Sequence, residues 1–64
     1  MNGDLLSDNE PPITLADQCR CVEREIKMRE SVYPRWVASG KMSQGRADRE
    51  IAMMRAVLKT LEAQ

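Results

Sequence analysis

Apolar residues recur at helical spacing in two separate runs, and this feature constrains the fold of the chain most strongly. In the first run the steps are 4, 3, 4, 7 and 3 residues, through Leu15, Cys19, Val22, Ile26, Tyr33 and Trp36. In the second run the steps are 4, 3, 4 and 3 residues, through Ala47, Ile51, Met54, Leu58 and Leu61. Steps of three and four place side chains on one face of an α-helix as a heptad seam. The sequence therefore predicts an all-α fold with two amphipathic helices.

Capping residues set the predicted bounds of the first helix. Thr14 is a typical N-cap residue, and Asp17 follows at the third helical position, as in a capping box. Gly40 suits the position just beyond a helix C-terminus, where the backbone often turns left-handed. We therefore expect helix one to run over about residues 15–39.

Pro34 lies inside this predicted helix. A proline there removes one backbone hydrogen bond and its ring clashes with the preceding turn. We expect a kink at Pro34, and the alternative is a break at Tyr33 followed by a short helix over 34–39.

Ser43 is the candidate N-cap of helix two, predicted over about residues 43–62. A turn near residues 40–42 then makes an antiparallel two-helix hairpin. Such a hairpin buries one stripe per helix, whereas ordering about 45 helical residues costs about 70 kcal/mol at roughly 1.5 kcal/mol each. We therefore expect a homodimer that forms a four-helix bundle. The residues predicted for the core and dimer seam are Leu15, Cys19, Val22, Ile26, Ile51, Met54, Leu58 and Leu61.

Charge divides the chain into two parts. The ten Lys and Arg residues balance the ten Asp and Glu residues, but residues 1–14 hold three acids and no base, so they carry −3. Residues 15–64 hold all ten bases and seven acids, so they carry +3. Residues 1–12 are interpreted as a flexible acidic arm and residues 13–64 as the helical domain. No membrane-length apolar run or signal-peptide pattern is present, which predicts a cytoplasmic protein.

Residues suited to catalysis or metal binding are few in this sequence. The chain has no histidine, and its two cysteines, Cys19 and Cys21, are two residues apart. On a helix, positions i and i+2 lie about 200° apart, so these thiols cannot share a metal ion or form a disulfide without unwinding. No phosphate-binding glycine loop and no paired catalytic carboxylates are recognisable. We expect no enzyme activity, no metal and no cofactor.

The predicted turn region has a distinct composition. No acidic residue lies between Ser31 and Ala47, and this stretch holds three bases and both aromatic residues of the chain. Arginine and aromatic residues are frequent at binding hot spots. We define the turn surface as Tyr33, Arg35, Trp36, Lys41, Met42 and Arg46. Three readings stay open: a protein-binding surface, a nucleic-acid-binding surface, or aromatic residues that close the end of the hairpin beside solvated bases.

Residues 21–63 resemble a family of small phage and prophage proteins. The matching stretch is VYPRWVASGKMSQGRADREIAMMRAVLKTLEA, preceded by CVEREIKMRE. The pattern is filled by Tyr33, Pro34, Arg35, Trp36, Val37, Gly40, Lys41, Met42, Ser43, Ala47, Glu50, Ile51, Met54, Ala56, Val57, Leu58, Thr60 and Leu61. The resemblance implies an accessory phage product without catalytic residues, and the acidic arm lies outside it.

These observations favour a non-enzymatic phage accessory protein that binds a host or phage protein stoichiometrically and modulates or inhibits it. The turn surface is the predicted contact. The alternative is a nucleic-acid-binding accessory protein in replication, recombination or transcription control, acting through the same bases. Its binding would weaken steeply with salt, because phosphate contacts release counterions.

Overall fold

The computed structural model describes residues 10–64, and within this range the chain is a helical hairpin. Helix α1 spans Leu15–Ala38 and helix α2 spans Gln44–Glu62. The two helices pack against each other, and no strand occurs among the described residues. The predicted hairpin is confirmed, with helix ends within one residue of those expected. The predicted acidic arm lies largely outside the described residues.

A capping box fixes the start of α1. The backbone N–H of Asp17 donates to Oγ1 of Thr14 at 3.0 Å, and the backbone N–H of Thr14 donates to Oδ2 of Asp17 at 2.9 Å. These bonds satisfy donors that the first turn of a helix cannot pair internally. They hold the pKa of Asp17 below its ordinary value, because the bond from the Thr14 backbone favours the carboxylate.

Helix α1 continues through Pro34 without interruption. The alternative of a break at Tyr33 is therefore wrong. Proline leaves the carbonyl of Glu30 without its usual backbone donor. Both Glu30 and Pro34 are exposed, so water can reach this side of the helix.

Gly40 ends α1 in the manner expected from the sequence. Its φ of 82° is in the left-handed region that favours glycine. The N–H of Gly40 donates to the carbonyl of Val37 at 3.1 Å, and the N–H of Lys41 donates to the carbonyl of Trp36 at 2.8 Å. This pair of bonds is a Schellman motif, which satisfies the last carbonyls of the helix. The chain therefore reverses direction over a few residues.

Ser43 caps α2, because its Oγ accepts a hydrogen bond from the backbone N–H of Arg46 at 3.1 Å. Ala47, which follows Arg46 in the first turn of α2, is only 2% exposed. A methyl group at this position lets α1 and α2 approach closely next to the turn.

The fully buried core is small. Among the described residues only Ile26, Tyr33 and Ala47 are buried. The rest of the predicted seam lies along the same helix faces but is half-buried, apart from Leu15, which is exposed. The half-buried seam residues are Cys19, Val22, Ile51, Met54, Leu58 and Leu61. Neither described helix has a stretch long and apolar enough to cross a membrane.

Candidate protein-binding surface

The six residues of the turn surface differ in their exposure to solvent. Tyr33 is only 8% exposed and belongs to the core, which departs from the expectation that it contacts a partner. Trp36 is 42% exposed, and Arg35, Lys41 and Arg46 are exposed as well. Five of the six, counting the half-buried Met42, therefore reach the surface near the turn.

Tyr33 supports Trp36 from beneath. The two ring centroids are 5.7 Å apart, and the ring planes are tilted by 36°. Such tilted aromatic pairs are favourable beyond the area they bury. Both rings line an open cavity of about 320 Å³, which Met28, Arg29 and Val32 complete. Trp36 is thus an exposed aromatic side chain with a fixed support.

Arg29 closes one side of this cavity and is itself paired. Its guanidinium donates to a carboxylate oxygen of Glu25 at 2.5 Å. This bond, together with a smaller contribution from the hydroxyl of Tyr33, raises the pKa of Arg29. The two residues are four positions apart on α1, a spacing at which opposite charges pair on a helix surface. Arg29 is therefore a neutralised part of the cavity wall.

The three bases of the turn surface differ from Arg29 in this respect. Arg35, Lys41 and Arg46 form no ion pair with any described residue. With no acidic residue between positions 31 and 47, the turn has an uncompensated positive charge among the described residues. Trp36 and Arg35 are adjacent in α1 and therefore point about 100° apart. The turn surface consequently wraps around the end of the hairpin.

A second feature was not predicted from the sequence: the two sides of the hairpin differ in chemistry. At about 100° per residue, a second apolar stripe on α1 and one on α2 lie beside the buried seam, on the same side of the molecule. We call this side the apolar face; its residues are Cys21, Met28, Val32, Trp36, Met53 and Val57. The spacing of 7, 4 and 4 residues through Cys21, Met28, Val32 and Trp36 was the sequence signal for it.

The apolar face ends in a groove where α1 begins and α2 ends. The groove has a volume of about 640 Å³, and Ile13, Cys21, Val22, Val57 and Leu61 supply its apolar lining. Asp17 and Gln18 lie at its polar edge. The groove is open, and no described residue covers its apolar wall.

The opposite side of the hairpin is charged. The guanidinium of Arg55 on α2 bonds the carboxylate of Glu30 on α1, which links the two helices. Glu23 and Lys27 lie beside this pair and line a shallow cavity with it. This side is suited to contact with water.

Groups that could support metal or thiol chemistry do not assemble among the described residues. No cluster of three or more His, Cys, Asp or Glu side chains there could hold a metal ion. Cys19 is half-buried in the seam, Cys21 is exposed on the apolar face, and both are free thiols. What the surface offers is contact: an aromatic side chain, three cations that pair with no described residue, and an apolar face.

Comparisons with protein-family models, with curated proteins and with solved structures find no match to this chain. The resemblance to a phage family therefore stays a prediction that rests on the sequence pattern alone.

Proposed function

We propose that this chain is a non-enzymatic binding protein that modulates or inhibits another protein by stoichiometric association, with the turn surface as its contact. The resemblance to phage accessory proteins makes a host or phage protein in the bacterial cytoplasm the class of partner. Arg35, Trp36, Lys41, Met42 and Arg46 form the contact, and Tyr33 supports it from the core.

The observation that carries this proposal is the combination of Trp36 with three bases that pair with no described residue, on a turn held by hydrogen bonds at both ends. Trp36 remains 42% exposed although its neighbour Tyr33 is buried. Tryptophan and arginine dominate binding hot spots, where truncating one typically costs 2 kcal/mol or more. Because the Schellman motif and the Ser43 cap fix the turn, little backbone entropy is lost when a partner binds.

The positive charge of the turn, which no described residue compensates, indicates the chemistry of the partner. A complementary surface carries acidic side chains around an apolar pocket that accepts the indole ring. Opposite charges at the rim of an interface raise the association rate, whereas the buried aromatic side chain slows dissociation. We therefore expect an acidic patch on the partner.

The test compares two arginines on the same side of α1. Arg24 and Arg35 are both exposed and lie eleven residues apart, close to three helical turns. We expect Arg35→Ala to weaken binding to a protein captured from bacterial lysate by about 30-fold, the factor that corresponds to a hot-spot loss of about 2 kcal/mol. Arg24→Ala is the matched control and should bind as wild type. Equal affinities for all three proteins would exclude the turn surface as the contact.

Nucleic-acid binding is the second candidate, because unpaired cations beside an exposed indole also suit a stacked base and its phosphate. Only three bases take part, so the expected affinity is low. The two candidates differ in salt and nuclease sensitivity. Capture that is lost on nuclease treatment, with affinity falling steeply as salt rises, would favour nucleic acid.

A further inference from the structure

We propose that the cavity beside Trp36 receives a large apolar side chain from an acidic segment of the protein partner. We call it the aromatic cavity; its lining residues are Met28, Arg29, Val32, Tyr33 and Trp36. The inference rests on the proposed function and deepens it. It adds a contact on α1 beyond the turn surface, and it states the chemistry of the segment that fills this contact.

The aromatic cavity is large enough for a side chain. Its volume is about 320 Å³. An apolar cavity of about 150 Å³ already binds benzene, so a ring of that size has room here. Among the lining residues, Met28 is 50% exposed and Trp36 is 42% exposed. A side chain that enters the cavity therefore covers apolar surface that no described residue covers.

The wall of the aromatic cavity suits an apolar group better than an ion. Four of the five lining residues are apolar or aromatic, and the fifth is Arg29. Its guanidinium donates to the Glu25 carboxylate at 2.5 Å, so its charge is neutralised by its own helix. The rings of Tyr33 and Trp36 are 5.7 Å apart and tilted by 36°. Aromatic pairs of this kind favour a further ring in tilted or offset contact.

The cations beside the cavity favour an acidic segment as its occupant. Met28 and Arg35 are seven residues apart, about 20° short of two full helical turns, so they lie on one stripe of α1. Val32 and Arg35 are separated by about 4.5 Å along the helix axis. Arg35, Lys41 and Arg46 form no ion pair with any described residue. A carboxylate next to the inserted side chain is therefore complementary in charge to its surroundings.

The cavity is preformed, which favours binding. Tyr33 is only 8% exposed, so its ring is fixed in the core on one side of the cavity. Little side-chain entropy is lost where the wall is already ordered. An apolar side chain that enters such a pocket, with charged contacts around it, is the arrangement typical of a binding hot spot.

The test uses synthetic peptides and the emission of Trp36, the only tryptophan of the chain. The probe is a blocked peptide of glutamate and alanine with one central phenylalanine. We expect it to shift the emission to shorter wavelength, because the inserted ring displaces water from the indole. Replacing the phenylalanine by alanine should weaken binding at least about tenfold, because the buried aromatic surface is lost. Replacing the glutamates by glutamine should weaken binding and remove its salt dependence.

Two methionine variants of the full chain locate the contact. Met28→Gln makes the cavity wall polar while keeping the length of the side chain, and we expect it to weaken peptide binding about fivefold. Met53→Gln is the matched control, because Met53 is 43% exposed on α2 and does not line the cavity. It should bind as wild type. If circular dichroism shows that Met28→Gln loses helicity, the peptide series on the wild type decides the question.

The outcomes separate this inference from the proposed function. Equal affinities for the phenylalanine and alanine peptides, or no emission shift with either, would overturn the inference. The proposed function would still stand if Arg35→Ala weakened binding of the captured protein, and it would fail if Arg35→Ala had no effect there.

Two other occupants are distinguished by the same emission. Decanoate that binds as tightly as the phenylalanine peptide would assign the cavity to a fatty acid. An emission that shifts with the concentration of the chain alone would assign it to a second copy. Either result would overturn the inference.

Discussion

At the scale of single residues, Ala47 sets how closely the two helices approach. It is 2% exposed, whereas Ala52 on the same helix is exposed. We expect Ala47→Leu to destabilise the fold by about 1–3 kcal/mol, because extra methylene groups in a packed contact force the helices apart. Ala52→Leu should change the stability by no more than about 0.5 kcal/mol. Chemical unfolding of both variants measures the difference, and equal stabilities would contradict the close contact at Ala47.

At the residue scale, periodicity in the sequence does not give the depth of a side chain. Tyr33 and Trp36 both fall on the predicted stripe, three residues apart, yet the first is buried and the second exposed. Relative to Ile26, their helical angles differ by about 60°, enough to move Trp36 out of the helix–helix contact. Periodicity alone predicts that Tyr33 and Trp36 share a stripe on α1. The position of α2 determines which edge of that stripe is buried.

At the scale of the elements, alanine substitutions at the two described glycines, Gly40 and Gly45, should change the stability in opposite directions. A Cβ at either Gly40 or Gly45 would meet no atom within 4 Å, so sterics with neighbours do not distinguish them. Gly40→Ala should destabilise the hairpin by about 1–2 kcal/mol, because its φ of 82° is left-handed. Gly45→Ala, inside α2, should stabilise it by about 0.5–1 kcal/mol. Thermal unfolding at one protein concentration reports both signs, and a stabilising Gly40→Ala would refute the proposed helix end.

The capping box predicts how α1 responds to pH. The pKa of Asp17 is lower in the folded chain than its ordinary value of 3.8, because Thr14 bonds the carboxylate. The ionised carboxylate therefore stabilises the fold above the unfolded pKa, and this contribution is lost as the pH falls through the folded pKa. We expect Asp17→Asn to lose less stability than wild type between pH 5 and about pH 2. Urea unfolding of both proteins across this pH range measures the difference. If the stability of the two proteins depended on pH in the same way, the charge of Asp17 would make no contribution to the cap.

Element boundaries were predictable because they depend on local chemistry. Thr14, Gly40 and Ser43 each act within one helical turn, so the sequence places the helix ends within a residue. The effect of Pro34 depends instead on whether packing outweighs one lost hydrogen bond. Here the buried Tyr33 before Pro34 and the half-buried Val37 after it belong to one continuous helix, and a local rule does not include such packing.

At the scale of the whole molecule, the hairpin followed from two stripes and one turn, but its two-sided chemistry did not. The apolar face contains residues from both helices, as does the pair of Glu30 with Arg55 on the charged side. Residues 25 positions apart become neighbours only once the helices are placed side by side. The turn surface was predictable as a composition, whereas the burial of Tyr33 and the apolar face needed the tertiary structure.

At the scale of the whole molecule, the proposed function predicts that a bound partner stabilises the folded hairpin. A ligand that binds only the folded chain stabilises it and so raises its melting temperature. The stabilisation is about 2.7 kcal/mol when the free ligand concentration is 100 times the dissociation constant. We expect the captured partner to stabilise wild type and Arg24→Ala alike, and to stabilise Arg35→Ala less. A partner that shifts all three melting temperatures equally would bind elsewhere on the hairpin.

The most direct measurement is the composition of the complex that the tagged chain captures from bacterial lysate after nuclease treatment. Native mass spectrometry of the purified complex gives the identity and ratio of its components in one experiment. We predict one other protein at a fixed ratio to this chain. Capture of nothing once nucleic acid is digested, or of many proteins in variable amounts, would contradict stoichiometric binding to a single protein.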